Sequence, residues 1–122
     1  MKRRAIAPTG LAYAAAHEVE GASRWLFVSG QVPEDAAGVT PESFGDQCRL
    51  AWTNVEAQLA AASMGLDDLV KVTVFLADRR YRQENSAIRR EVLGDRSPAL
   101  TIIIAGIYEE RWLLEIEAVA AA

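Results

Sequence analysis

The sequence predicts a single α+β domain in which a mixed β-sheet carries two helices on one face. Three stretches predict it. Between Pro41 and Met64, apolar residues recur with a helical period. Val70 to Leu76 places apolar side chains on one strand face only. The closing run, Ser97 to Ala122, reads as two strands joined by a short polar turn. Strands with one apolar face need a cover, and amphipathic helices alternating with them supply it.

With 122 residues, the chain is one domain large enough to bury a core without disulfides or metals. Its net charge of −4 argues against nucleic acid as the main partner, which usually meets a basic surface. The single cysteine, Cys48, cannot form an internal disulfide, which fits a reducing compartment. No stretch approaches the ~20 apolar residues of a membrane span. Lys2-Arg3-Arg4 resembles the start of a signal peptide, but Pro8, Gly10, His17, Glu18 and Glu20 interrupt any apolar run behind it. A soluble, cytoplasmic chain is expected.

In chain order, Leu11 to Val19 reads as an irregular edge strand, Gly21-Ala22-Ser23 as a turn, and Trp25 to Ser29 as a β-prone run. Residues 11–29 are therefore expected to form a hairpin. Pro33 leaves the strand, and Glu34 to Thr40 is a surface loop. The first helix is expected over Pro41–Met64, with Thr40 as its cap and Pro41 in the first turn. Phe44, Cys48, Ala51, Val55, Leu59 and Ala62 form its apolar stripe, and Gly65 is expected to end it in a left-handed conformation. Cys48 reads as a packing residue.

After Asp67-Asp68, Val70, Val72, Val74 and Leu76 share one strand face. The second helix is expected over Tyr81–Leu93, with Tyr81, Asn85 (or Glu84), Ile88 and Val92 inward and Gly94 as the stop. Arg79, Arg80, Arg82, Arg89 and Arg90 read as its solvated surface. In the last strand, Trp112, Leu114, Ile116 and Ala118 make a core face. The opposite face carries Leu113, Glu115, Glu117 and Val119, two carboxylates where acids are depleted. A solvated outer face is the plain reading of that pair.

Several devices are absent: a phosphate loop, a dinucleotide fingerprint, and paired histidines or cysteines for zinc. His17 and Ser29 supply two residue types of a hydrolase triad, but Ser29 lacks a nucleophile-elbow flank.

Taken together, a set of short motifs is more specific. Val28-Ser29-Gly30-Gln31-Val32-Pro33, then Gln47 and Asn54, Gly65, Val70 to Leu76 with Asp78, Asn85, Pro98-Ala99 and Glu115 to Ala120 occur in a familiar order. Over nearly its whole length the chain resembles the YjgF/RidA family, once described as L-PSP-type endoribonucleases and translation inhibitors. The resemblance implies a chorismate-mutase-like fold, a homotrimer, and small-molecule clefts between subunits. It also implies hydrolysis of reactive enamines or imines to a carbonyl product and ammonia, with no metal or organic cofactor.

Carried over by position, Glu115 matches the glutamate that positions the hydrolytic water. Tyr13, Ser29, Gly30 and Gln31 match residues around the ligand, and Glu117 a structural position. Leu100 departs from the pattern, because the family's deaminases carry there an arginine that grips the substrate carboxylate. Losing such a pair, ~1.5–3 kcal/mol, weakens carboxylate binding by about one to two powers of ten. Arg96 and Arg111 are the substitute cations suggested by position. Three functions remain open: an enamine or imine hydrolase with altered substrate choice, a non-catalytic binding or regulatory trimer, and RNA cleavage or translation inhibition.

Overall fold

The computed structural model describes all 122 residues, Met1 to Ala122. Its centre is a strand whose two neighbours run in opposite senses. This strand, β4 (Leu69–Leu76), pairs parallel with β5 (Ala99–Ile104) and antiparallel with β6 (Leu114–Ala121). With β1 (Lys2–Pro8), β2 (Ala14–Glu20) and β3 (Trp25–Gln31), they form a six-stranded sheet in the order β1-β2-β5-β4-β6-β3. Two helices, α1 (Phe44–Ala61) and α2 (Arg82–Leu93), complete the mixed α+β fold expected from the sequence.

Directly paired residues share a sheet face. Val72, Val74 and Leu76 lie opposite Ala118, Ile116 and Leu114, so their apolar faces merge into one layer. Cys48, Ala51, Trp52, Val55 and Leu59 of α1, with Ile88 and Leu93 of α2, cover that layer. Fully burying each large side chain contributes about 1.5–3 kcal/mol, which makes this layer the main support of the fold.

Two expected hairpins are corrected. Residues 11–29 do not pair with one another: β2 lies beside β1 and β5, while β3 is at the opposite end, against β6. Nor do the last two strands form a hairpin, because β4 lies between β5 and β6. Each strand obtains better burial by pairing with a distant one whose apolar face matches.

β1 was not expected at all. Lys2-Arg3-Arg4 has weak strand propensity, and these residues form an edge whose charges suit solvent. Arg3 nonetheless ties the hairpin to the sheet centre, donating from Nη2 to the Ala121 carbonyl (2.7 Å) and from Nη1 to that of Leu69 (3.4 Å).

The ends of α1 also differ from expectation. Ser43, rather than Thr40, is the cap, accepting from the Asp46 N–H at 3.2 Å. Thr40 Oγ1 instead accepts from the Trp112 indole. At the far end the left-handed residue is Ser63 (φ 57), while Gly65 is extended at φ −140. The helix stops at Ala61, and the Met64 N–H reaches back to the Leu59 carbonyl as Ser63 N–H reaches Ala60. That pair of bonds places the reversal at Ser63, two residues before the glycine.

Candidate functional site

The closing strand puts Glu115 and Glu117 opposite Phe75 and Thr73, on the sheet face turned away from both helices. Across the other edge of β6, Val28 pairs with Ala118 but Gln31 pairs with Ile116. Three steps on β3 therefore oppose two on β6, and a bulge carries Ser29 and Gly30. The bulge brings the Gly30 backbone beneath the Glu115 side chain. A Cβ at position 30 would lie 2.7 Å from Glu115 Cδ and 3.0 Å from its Cγ. Beside it, Gln31 Nε2 donates to the Ser29 carbonyl at 3.0 Å. Glu115 takes part in none of the six ion pairs of the chain.

Two polar side chains of α1 hold this arrangement in place. Buried Gln47 donates to the carbonyls of Pro41 (2.8 Å) and Arg111 (2.9 Å) and accepts from the Leu113 N–H (2.8 Å). It thereby fixes the segment leading into Glu115. Asn54 donates to the carbonyls of Val32 and Glu34, fixing the chain just after Gly30 and Gln31.

A second group gathers on the other side of the sheet. Leu100 pairs with Val72 and Ile102 with Val74, so both point to the helix face. With Leu11 and Tyr13 they form the apolar part of a cleft of about 310 Å³. Its polar part is one side of α2: Arg82, Ser86 and Arg89. Arg89 is only 3% exposed. Its Nη2 donates to the Leu11 carbonyl at 3.2 Å and to Ser86 Oγ at 3.4 Å, and its guanidinium lies 5.5 Å from the centre of the Tyr13 ring. Nε and Nη1 are buried without a partner. Burial holds the Arg89 pKa below the usual arginine value, partly offset by Tyr13.

The six residues singled out from the sequence thus fall into two sets. Tyr13 and Leu100 line the cleft, while Ser29, Gly30, Gln31 and Glu115 cluster around the bulge. Within one chain the sheet separates Leu100 from Glu115, so the two sets do not meet. Neither proposed substitute cation reaches the cleft. Arg96 bonds to Asp67 at 2.6 Å, and Arg111 pairs with Glu109 at 2.9 Å and Glu34 at 3.6 Å. Within one chain His17 and Ser29 do not form a triad, since β5, β4 and β6 separate β2 from β3. No cluster of three or more His, Cys, Asp or Glu side chains is arranged to hold a metal.

Comparison with known proteins gives the family of the chain. Residues 4–122 match the Endoribonuclease L-PSP family. The chain belongs to that family, the YjgF/RidA group. A RutC family protein of Pyrococcus horikoshii is 33% identical over 101 residues, 81% of this chain and 80% of its own. YjgH of Escherichia coli, also a RutC family protein, is 40% identical over 89 residues, 70% and 68% of the two chains. TdcF of E. coli, whose name as a reactive intermediate deaminase is provisional, is 41% identical over 54 residues, 43% of this chain and 42% of its own. Among solved structures, the Rid family protein YyfB of Yersinia pestis superposes with a TM-score of 0.87 at 22% identity, covering all of both chains. At that identity the likeness speaks for the fold alone.

Arg89, expected from the sequence to be part of a solvated surface, is instead buried in the wall of the cleft. Its signal was spacing. Asn85, Arg89 and Leu93 stand four residues apart, and all three are buried. Cys48, in the core beside them, is a weak donor to Asn85 Oδ1 at 3.8 Å, as its packing role implied.

Proposed function

We propose that this protein hydrolyses reactive enamine or imine metabolites to a carbonyl product and ammonia, as a RidA-like homotrimer with ligand clefts between subunits. The observation that carries this reading is the Glu115 carboxylate, free of ion pairs and seated on the Gly30 backbone. A carboxylate so placed can orient a water and take its proton as the water oxygen bonds to the imine carbon. That proton passes to the imine nitrogen, giving a neutral carbinolamine; its hydroxyl proton then moves to the same nitrogen as the carbon–nitrogen bond breaks and the carbonyl forms, and ammonia leaves. An enamine enters the same route once protonated at carbon.

Support for an assembly comes from the face that carries Glu115. Phe27 is 76% exposed, Trp25 51% and Ile103 44%. Paired with Val119 and Phe75, two of them extend an apolar surface on both sides of the carboxylates. Apolar surface of this kind marks an interface, and a partner subunit seated there would enclose Glu115.

The test is ammonia release from enzymatically generated imines with different side chains. Wild-type protein is expected to exceed buffer, with Glu115→Gln reduced by at least about a hundredfold, the scale of losing general acid–base help. No rate above buffer, with the variant indistinguishable from wild type, removes the reading.

One observation favours a second reading, a binding or regulatory trimer without catalysis. Leu100 gives the cleft an apolar wall where the resemblance implies an arginine. Native mass spectrometry of protein from its own cells would then reveal a retained small molecule. RNA cleavage, which the family's name mentions, has the least support on a chain of net charge −4.

A further inference from the structure

We infer that Arg89 is the anion-binding residue of the Leu100 cleft, and that the cleft takes a small monocarboxylate with an apolar body. This rests on the reading that the cleft binds a small molecule. It goes further in naming the residue and the ligand class.

Four observations lead there. Arg89 is nearly fully buried, yet two of its three guanidinium nitrogens, Nε and Nη1, have no partner. A buried, half-satisfied guanidinium is costly unless something completes it. Nothing in the chain does so: no carboxylate pairs with Arg89, and the lining of the cleft holds two arginines and no acid. In a chain of net charge −4, that is a local reversal of sign. Finally, the guanidinium edge that matches a carboxylate pairs Nε with Nη2, so a carboxylate there engages the free Nε–H and draws Nη2 from its long 3.4 Å contact with Ser86 Oγ.

The rest of the cleft describes the remainder of the ligand. Leu11, Leu100 and Ile102 offer only carbon, and a volume of about 310 Å³ accommodates on the order of ten non-hydrogen atoms at ~30 Å³ each. Leu100 is then a complement rather than a gap: it contacts the apolar body while the charge is met from the helix side. The Tyr13 ring lies over the guanidinium, so an anion reaches the free nitrogens by displacing that ring. The backbone of residues 9–13 is held by the Thr9 N–H and Oγ1–H bonds to the Tyr13 carbonyl (3.0 and 2.9 Å), so the displacement is a rotation of the Tyr13 side chain.

The experiment compares 4-methylpentanoate with its uncharged amide by titration calorimetry on the intact protein. The carboxylate is expected to bind at least about tenfold more tightly. That preference should vanish in Arg89→Met, shrink in Arg89→Lys, and return in Arg89→Met/Leu100→Arg, which restores a cation to the same wall. Equal affinity for the two probes, or a preference unchanged in Arg89→Met, overturns the inference.

Because Arg89 also holds Leu11, a variant that fails to fold is covered by a measurement on wild-type protein. The side-chain Nε–H resonance of Arg89, assigned by its absence from the Arg89→Lys spectrum or by through-bond correlation, should move with the carboxylate and not with the amide. A resonance indifferent to both overturns the inference as well. Neither measurement needs turnover. Carboxylate binding without ammonia release would retain Arg89 and discard the hydrolase, and ammonia release without carboxylate preference would do the reverse.

Discussion

The carboxylate of Glu115 lies against the Cα of Gly30, in space that any side chain at position 30 would occupy. Gly30 is therefore required for close approach. Gly30→Ala should push the carboxylate aside without breaking the sheet, because the atoms in its way are the far end of a flexible side chain. Ammonia release should fall at least about tenfold while Tm shifts by no more than about 4 °C. Unchanged turnover would show that the position of Glu115 on this backbone is not used.

Gln47 holds the backbone that leads into Glu115 from the helix side of the sheet. Gln47→Ala leaves two carbonyls and one N–H, all part-buried, without their side-chain partner, in addition to opening a cavity. A loss of about 2–4 kcal/mol is expected from urea unfolding, measured as a lower midpoint at constant slope. An effect under about 0.5 kcal/mol, the scale of an ordinary surface substitution, would mean that water replaces these bonds without difficulty.

Cys48 should be chemically inert in the folded protein. Burial pushes its thiol up to about 12, against an ordinary value of 9.0. At pH 8 the native thiolate is then on the order of one in ten thousand, and alkylation should proceed only as fast as the protein opens. The sign of the linkage follows. The folded state holds this proton more tightly than the unfolded one, so the contribution to stability is complete below about pH 9 and lost as pH rises toward 12. Cys48→Ala should lack that component of the alkaline decline, visible as a smaller drop in urea midpoint between pH 8.5 and pH 10.5 than wild type shows, by about 1–2 kcal/mol.

The exposed face of the sheet gives a prediction about assembly. Phe27→Glu would place a third acid beside Glu115 and Glu117 on a surface proposed to meet another subunit. Light scattering should find a trimer for wild type and a monomer for the variant, with near-native circular dichroism in both. A wild-type monomer at micromolar concentration would remove the trimer.

Arg96 and Arg111, suggested by their positions in the chain, pair instead with surface carboxylates. Arg96→Ala and Arg111→Ala should therefore leave affinity for 4-methylpentanoate within about twofold of wild type, since exposed pairs contribute little. A tenfold loss in either would return that residue to the cleft.

Local periodicity in the sequence was enough to place both helices, the central strand and the core face of the last one. Side chains that recur every second or every third to fourth residue show which face must leave water, whatever lies opposite. The family was legible for a related reason: its short motifs occur in order along the chain. The neighbours of each strand were not legible. Pairing is a contest among distant segments for matching apolar faces, and here it set β4 between β5 and β6 and put three strands between β2 and β3. The same holds for the site. Leu100 and Glu115 could be named from the sequence, yet only the sheet's handedness of alternation put them on opposite faces. Arg89 looked like one more solvated charge until packing enclosed it beneath Tyr13, because a side chain's burial depends on what folds over it.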